Sequence, residues 1–250
     1  MLLYLLALGS PTYPITTESW RAWTATYVWG NFYGEEHINF SPLFGHQYSH
    51  IWTDFRGIQD DYMREKRLDY FENSRRATYA NRAYCIANPG RWQGYGADIW
   101  GLTACDGPGY REVKVGDRLL AFQGYWARGA SLLEINDDGT LAPTAAGGAI
   151  PFAPEICITA LKAMQKQYGQ QLFGQYGFYD AFNLSYPNGN RQGWVDGDYL
   201  GIDNGPIVLM IENHYSELLW KLGRKNRYLL AGLKRAGFQG GWLDETSSKR

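Results

Sequence analysis

The chain has 250 residues, 24 Lys and Arg against 25 Asp and Glu, a formal net charge of -1, and 16% aromatic side chains. That length suits one large domain with a real core, and no linker-like block divides it. A near-neutral balance with no basic run argues against nucleic acid or an anionic membrane surface as the partner, and no apolar run is long enough to insert into a bilayer.

In chain order, MLLYLLAL is apolar all round and reads as the end of a core helix buried on every side. It lacks a basic leader and runs directly into a Pro-rich turn (Gly9, Ser10, Pro11, Pro14), so it is not read as a secretory signal. Thr16 to Ser19 open a second helix with Trp20 and Trp23 on one face. Residues 29–34 read as a loop, and a further helix is expected from Pro42 to Ile51. The clearest amphipathic helix is DYFENSRRATYANRAYCIANPG, stopped by Asn88-Pro89-Gly90. Residues 106–150 hold an NDDGT turn and suit a short hairpin or irregular loops. Helical pattern returns at Pro154 to Tyr168, Asn204 to Leu222, and Lys225 to Ala236. All-apolar and amphipathic helices thus alternate, which predicts an all-α architecture, an α/α toroid whose inner helices point loops into one cleft.

The 10 Trp, 19 Tyr and 11 Phe serve a core in part, and with 30 Gly the remainder suits a wet cleft lined by flat rings, the way proteins grip sugars. His46 and His50, spaced i, i+4, share a helix face beside Gln47, with Trp52 and Asp54 just beyond. No HExxH and no third ligand accompany them, so a polar cluster facing the cleft is the better reading than a metal, and no cofactor is implied. Cys85, Cys105 and Cys157 sit among small or apolar residues as buried thiols. Among the acids, Asp106 lies in a small-residue turn, and Glu155 in a helix's first turn has the macrodipole to explain it. Asp180 and Asn183 lie between aromatics, Asp203 is either an N-cap or a ligand contact, and Glu212 is on a mostly apolar helix. No GxSxG and no Rossmann-type GxGxxG competes with these carboxylates, and the chemistry needing least else is glycoside hydrolysis by paired Asp and Glu.

Seven ordered segments, LLYLLALGSPTYPI, LFGHQYSHIWTDFRGIQD, YFENSRRATYANRAYCIANP, GYGADIWGLTACDGPGY, GTLAPTAAGGAIPFAPE, YGFYDAFN and YLGIDNGPIVLMIEN, together resemble the bacterial glycoamylase-like domain. Its relatives include endo-β-1,2-glucanases and a region of cyclic β-1,2-glucan synthases. The resemblance implies an (α/α)6 toroid acting on β-glucan, by inversion in the glucanases, and suggests a periplasmic or secreted setting. It also implies that His46, Gln47, His50 and Asp54 face sugar hydroxyls, and Glu36, Trp52, Asp106, Asp180, Asn183, Asp203 and Glu212 are the further candidates for substrate binding. Family members carry a longer N-terminal half, with a Glu just ahead of the segment matching MLLYLLALGSPTYPI. This chain is therefore expected to be the C-terminal portion of one domain, incomplete at its N-terminal side and prone to self-association through an open edge. If Glu35, Glu36, Asp54, Asp203 and Glu212 assemble no working pair, the alternative is a non-catalytic carbohydrate-binding remnant. An α/α-toroid polysaccharide lyase is the distant third reading.

Overall fold

The computed structural model describes residues 1–188 and 191–245. Its helices are α1 (Leu2–Leu8), α2 (Thr17–Thr24), α3 (Tyr48–Trp52), α4 (Asp61–Lys66), α5 (Tyr70–Ala87), α6 (Pro143–Gly147), α7 (Pro154–Tyr168), α8 (Gly201–Ser216), α9 (Leu218–Gly223), α10 (Arg227–Arg235) and α11 (Gly241–Glu245). The chemistry of their ends is visible in the sequence. Asp69 caps α5 by accepting the Glu72 N–H at 2.8 Å, and Asn88 stops it in the left-handed region at φ 44°. Pro154 occupies the first turn of α7, where its missing N–H costs nothing.

Two expected helices are divided. Leu43–His46 is a 3-10 turn leading into α3, and Glu217, at φ 59°, separates α8 from α9. That break turns the buried Trp220 indole inward, where its N–H donates to the His50 carbonyl at 2.6 Å.

The all-α expectation needs correction, because six two-stranded antiparallel sheets occur among the described residues. Residues read as a loop form a hairpin, Val28–Phe32 paired with Glu35–Asn39. Tyr33 and Gly34 at its tip both have positive φ, 50° and 91°, which matches the twist of a tight hairpin. Arg111–Val115 pairs with Arg118–Phe122 in the region that suited a hairpin, and Phe182–Asn188 pairs with Arg191–Val195.

The largest hydrophobic cluster joins α5, α6, α7 and α8 through Tyr84, Ala145, Phe152, Met164 and Met210. A second joins α1, α2, α4 and α10 through Leu5, Leu8, Trp20, Met63 and Leu233. Helix α1 is not buried on every side: Leu5 and Leu8 are, but Leu3 is 77% exposed. Its buried face meets α10 backbone to backbone. A Cβ at Gly9 would lie 2.0 Å from the Tyr228 carbonyl oxygen, and one at Gly232 would lie 2.0 Å from that of Leu5.

Glycine at these two positions is thus a packing requirement. Gly232→Ala is expected to destabilise the protein by about 1–3 kcal/mol through overpacking. A drop in urea midpoint would register it, and an unchanged midpoint would mean that the two helices separate without cost.

Candidate functional site

Arg128 is completely buried and anchors the loops around the carboxylates. Its guanidinium forms a two-bond ion pair with Asp138, Nε to Oδ1 at 2.7 Å and Nη2 to Oδ2 at 2.8 Å. Nη1 donates to the carbonyls of Cys105 (2.8 Å) and Asp106 (3.2 Å), and Nη2 to those of Gln123 and Gly124 (both 3.1 Å). Asp138 in turn accepts the Gln123 N–H at 2.9 Å and the Thr140 N–H at 3.2 Å. Its neighbour Asp137 faces the other way and accepts the hydroxyls of Tyr84 (2.9 Å) and Tyr95 (2.7 Å). The NDDGT turn is therefore structural, and one of its products is a fixed Asp106.

From that fixed point the site is built by short contacts. The Asp106 N–H donates to Asp180 Oδ2 at 2.7 Å, and the Asp180 N–H donates to the Asp198 carbonyl at 3.1 Å. The Asp203 carboxyl lies close enough for the two acids to act on one another, and Asp180 Oδ1 and Asp203 Oδ2 are both buried without a hydrogen-bond partner. Burial pushes Asp203 up to about 8, and the Asp180 charge beside it adds to the rise. Burial also raises Asp180, against the hydrogen bond from the Asp106 amide. Burial thus keeps the Asp203 carboxyl protonated at neutral pH beside Asp180.

Asp106, Asp196 and Asp198 bring carboxylate oxygens within 4.8 Å of one another, the one group among the described residues spaced to take a cation. Two are half-buried and one is exposed, so solvated acids account for the same arrangement. Burial, with the Asp106 charge adding, pushes Asp196 up to about 6.

Helix α8 delivers Asp203 in its first turn, and a proline helps to fix it. Pro206 has no N–H to give the Ile202 carbonyl four residues back, and the Tyr48 hydroxyl donates to that carbonyl instead. The Thr144 hydroxyl donates to the Asp203 carbonyl at 2.6 Å. Tyr48, at the start of α3, therefore sits beside the pair, and burial with the Asp203 charge adding pushes its phenol up to about 12.

The other residues expected to face sugar are distributed differently. His50 is buried among Phe55, Phe71 and Phe152 and shares a 3.0 Å hydrogen bond with the Ser74 hydroxyl. Gln47 donates to the Ala145 carbonyl at 2.8 Å. The Asp54 carboxylate pairs with Arg56 at 2.9 Å and with Arg224, and Trp52 lies on an apolar surface with Leu2, Leu6 and Leu222. Asn183 uses its amide on the Asp138 carbonyl, the Thr140 hydroxyl and the amides of Ser185 and Tyr186. Glu212 accepts the Ser216 hydroxyl on α8, nine residues or about 13 Å along the helix from Asp203. Glu36 is exposed on the 28–39 hairpin, and His46 is buried beside a separate cavity.

The structure brings Asp106, Asp180 and Asp203 together. Asp196 and Asp198 were missed in GWVDGDYLGID, although two acids flanking a glycine just before Asp203 are a visible signal.

The native Asp203 carboxyl holds its proton more tightly than the unfolded chain does. Its stabilising contribution is therefore fully present below about pH 4 and lost as pH rises through about 8. Relative to Asp203→Asn, the wild-type protein is expected to lose on the order of 2 kcal/mol between those limits in urea unfolding. Parallel profiles for the two proteins would place that proton elsewhere.

Residues 1–227 match the Glycoamylase family model, described as "Putative glucoamylase". An exo-β-1,2-glucooligosaccharide sophorohydrolase (non-reducing end) from Parabacteroides distasonis is 31% identical over 260 residues, spanning 94% of this chain and 32% of the relative. A Bacteroides uniformis crystal structure described in the same words as the family matches with a TM-score of 0.80 and 37% identity, over 96% of this chain and 54% of that one. An endo-β-1,2-glucanase from Chitinophaga pinensis, solved with sophorotriose and glucose, matches with a TM-score of 0.77 and 36% identity, over 95% of this chain and 53% of that one. The chain spans about a third of the curated relative and about half of these two solved structures. It has the fold of the glucoamylase-like and glucanase structures, and with the family model matched from residue 1 to 227, the chain belongs to the glycoamylase family.

Proposed function

We propose that these residues form the C-terminal portion of a single (α/α)6 glycoside hydrolase domain acting on β-glucan, most specifically β-1,2-glucan. The observation that carries the reading is the buried Asp180 carboxyl, held by the Asp106 N–H at 2.7 Å, with the buried Asp203 carboxyl beside it kept protonated by its surroundings. A protonated carboxyl next to an ionised one offers both a donor and an acceptor to a sugar hydroxyl or glycosidic oxygen. Tyr48 and the exposed Tyr125 supply rings alongside. The β-1,2 linkage is taken from the relatives, which are named for it.

The same geometry supports a division of labour. An inverting pair stands roughly 6.5–9.5 Å apart to admit water. Asp106, Asp196 and Asp198 lie within 4.8 Å of one another, too close to admit that water between them. In our reading the second carboxyl of an inverting pair comes from residues other than these 250. The apolar surface shared by Leu2, Leu6, Trp52 and Leu222 is in keeping with a toroid edge that other helices cover, or through which copies self-associate. Taken alone, the chain then acts as the carbohydrate-binding wall of the domain.

Reducing-end release from linear β-1,2-glucan, with α-1,4-glucan as the control, tests this directly. No turnover is expected from these residues alone, while calorimetry registers binding of β-1,2-glucooligosaccharides. Turnover would place both carboxyls within the chain, and failure to bind either glucan would remove the reading.

A further inference from the structure

Between α1 and α9 lies an open groove of about 430 Å³. Its lining includes Leu2 and Leu6 of α1, Trp52 of α3, Leu219 and Leu222 of α9, and Leu229 of α10. Trp52 is 43% exposed and Leu222 58%, so an indole and a leucine that favour burial stand open to water. No Asp, Glu, Lys or Arg side chain lines the groove. Its one polar side chain, Asn226, is already used as the cap of α10, accepting the N–H groups of Tyr228 at 3.0 Å and Leu229 at 3.2 Å.

The walls are fixed before anything binds. The glycine crossing holds α1 on α10, and Gly223 holds α9 on α3, since a Cβ there would come within 2.5 Å of the Trp52 carbonyl oxygen. A groove with preset walls spends little ordering free energy on an occupant.

Charge is distributed unevenly around this surface. Residues 1–17 hold no charged side chain, whereas residues 218–243 hold six Lys and Arg and no acid. The acids nearest in the fold, Asp54 and Glu217, are taken by Arg56 and Arg224. Lys221, Lys225 and Arg227 flank the lining residues Leu222 and Asn226 in sequence, are exposed, and have no acid paired with them among the described residues. The near-neutral total of the chain conceals this local excess.

We infer that the groove receives an amphipathic helix of an acidic partner polypeptide, its apolar side chains on Trp52 and the leucines and its carboxylates on Lys221, Lys225 and Arg227. This deepens the toroid-edge reading above, on which it rests, by giving the covering helix a charge. The seven residues of α1 are about 10 Å long, which matches apolar anchors at i, i+4 and i+7. A second copy fits less well, because a two-fold contact sets the same patch against itself and brings the three cations onto their own copies.

The probe is a rhodamine-labelled synthetic peptide of about 15 residues, with leucine at i, i+4, i+7 and i+11 and Glu or Gln between. Its control carries Lys in place of Glu, and anisotropy with the 250-residue protein reads binding of each. The acidic peptide is expected to bind, more weakly as salt rises, and the basic one is not. Trp52→Ala should weaken the acidic peptide about tenfold, and so should the double variant Lys225→Glu, Arg227→Glu, whose sites are exposed and leave the core intact. The charge reversal should also transfer preference to the basic peptide.

Equal binding of both peptides, or wild-type affinity in the reversed variant, would overturn the inference. So would a concentration-dependent dimer in analytical ultracentrifugation that Trp52→Ala abolishes, which gives the groove to a second copy. Pelleting with phosphatidylserine vesicles but not phosphatidylcholine ones, without peptide binding, would overturn it in favour of a lipid surface. If the acidic peptide fails while calorimetry still registers glucooligosaccharides, the helix is lost and the function stands.

Discussion

The carboxylate site depends on one buried guanidinium. Arg128 has no access to water, so each of its N–H groups must find an acceptor inside the protein. It finds them on Asp138 and on four carbonyls from two loops, residues 105–106 and 123–124. The planar fork fixes the directions of those acceptors, which a flexible ammonium would not. Through it the Asp106 amide is aimed at Asp180, and through Asp180 the geometry passes to Asp203 and α8. A loop-rich region with only short two-stranded sheets thereby holds acids from distant parts of the chain in hydrogen-bond contact.

Much of the helical frame was legible because its signals are local. The Asp69 cap and Asn88 stop bound α5, and Pro154 opens α7 within the expected limits. The strands were less legible. In TYVWGNFYGEEHINF the alternation is short and its tip is Tyr-Gly, so it reads as a loop until the pairing Val28↔Asn39 is seen. The break at Glu217 was hidden for another reason: apolar residues continue through it, and what ends α8 is the inward turn of Trp220 to a carbonyl over 160 residues away in sequence.

For the site, the sequence supplied the right residue types and could not rank them. LFGHQYSHIWTDFRG crowds polar groups into apolar surroundings, which fits a sugar cleft and a buried ion cluster equally well. Asp54 is held by Arg56, two residues on within the stretch, and by Arg224, 170 residues on, while the neighbours of His50 include Phe71 and Phe152. Only the Arg56 contact has a local trace. Asp180, by contrast, was identifiable from its setting, since a carboxylate between rings needs a hydrogen-bonding reason and its reason is the Asp106 amide.

The glycine crossing of α1 and α10 also bears on how the chain matures. The surface that receives Leu5 and Leu8 includes residues 229 to 233, more than 220 positions later. Contacts of such separation form late, because the loop must close before they give any return. On the ribosome, α1 emerges long before its partner helix exists. Until then its leucines stay uncovered, so this first segment of the described chain is a natural landing place for chaperones during synthesis, and its docking is the step that completes the second hydrophobic cluster.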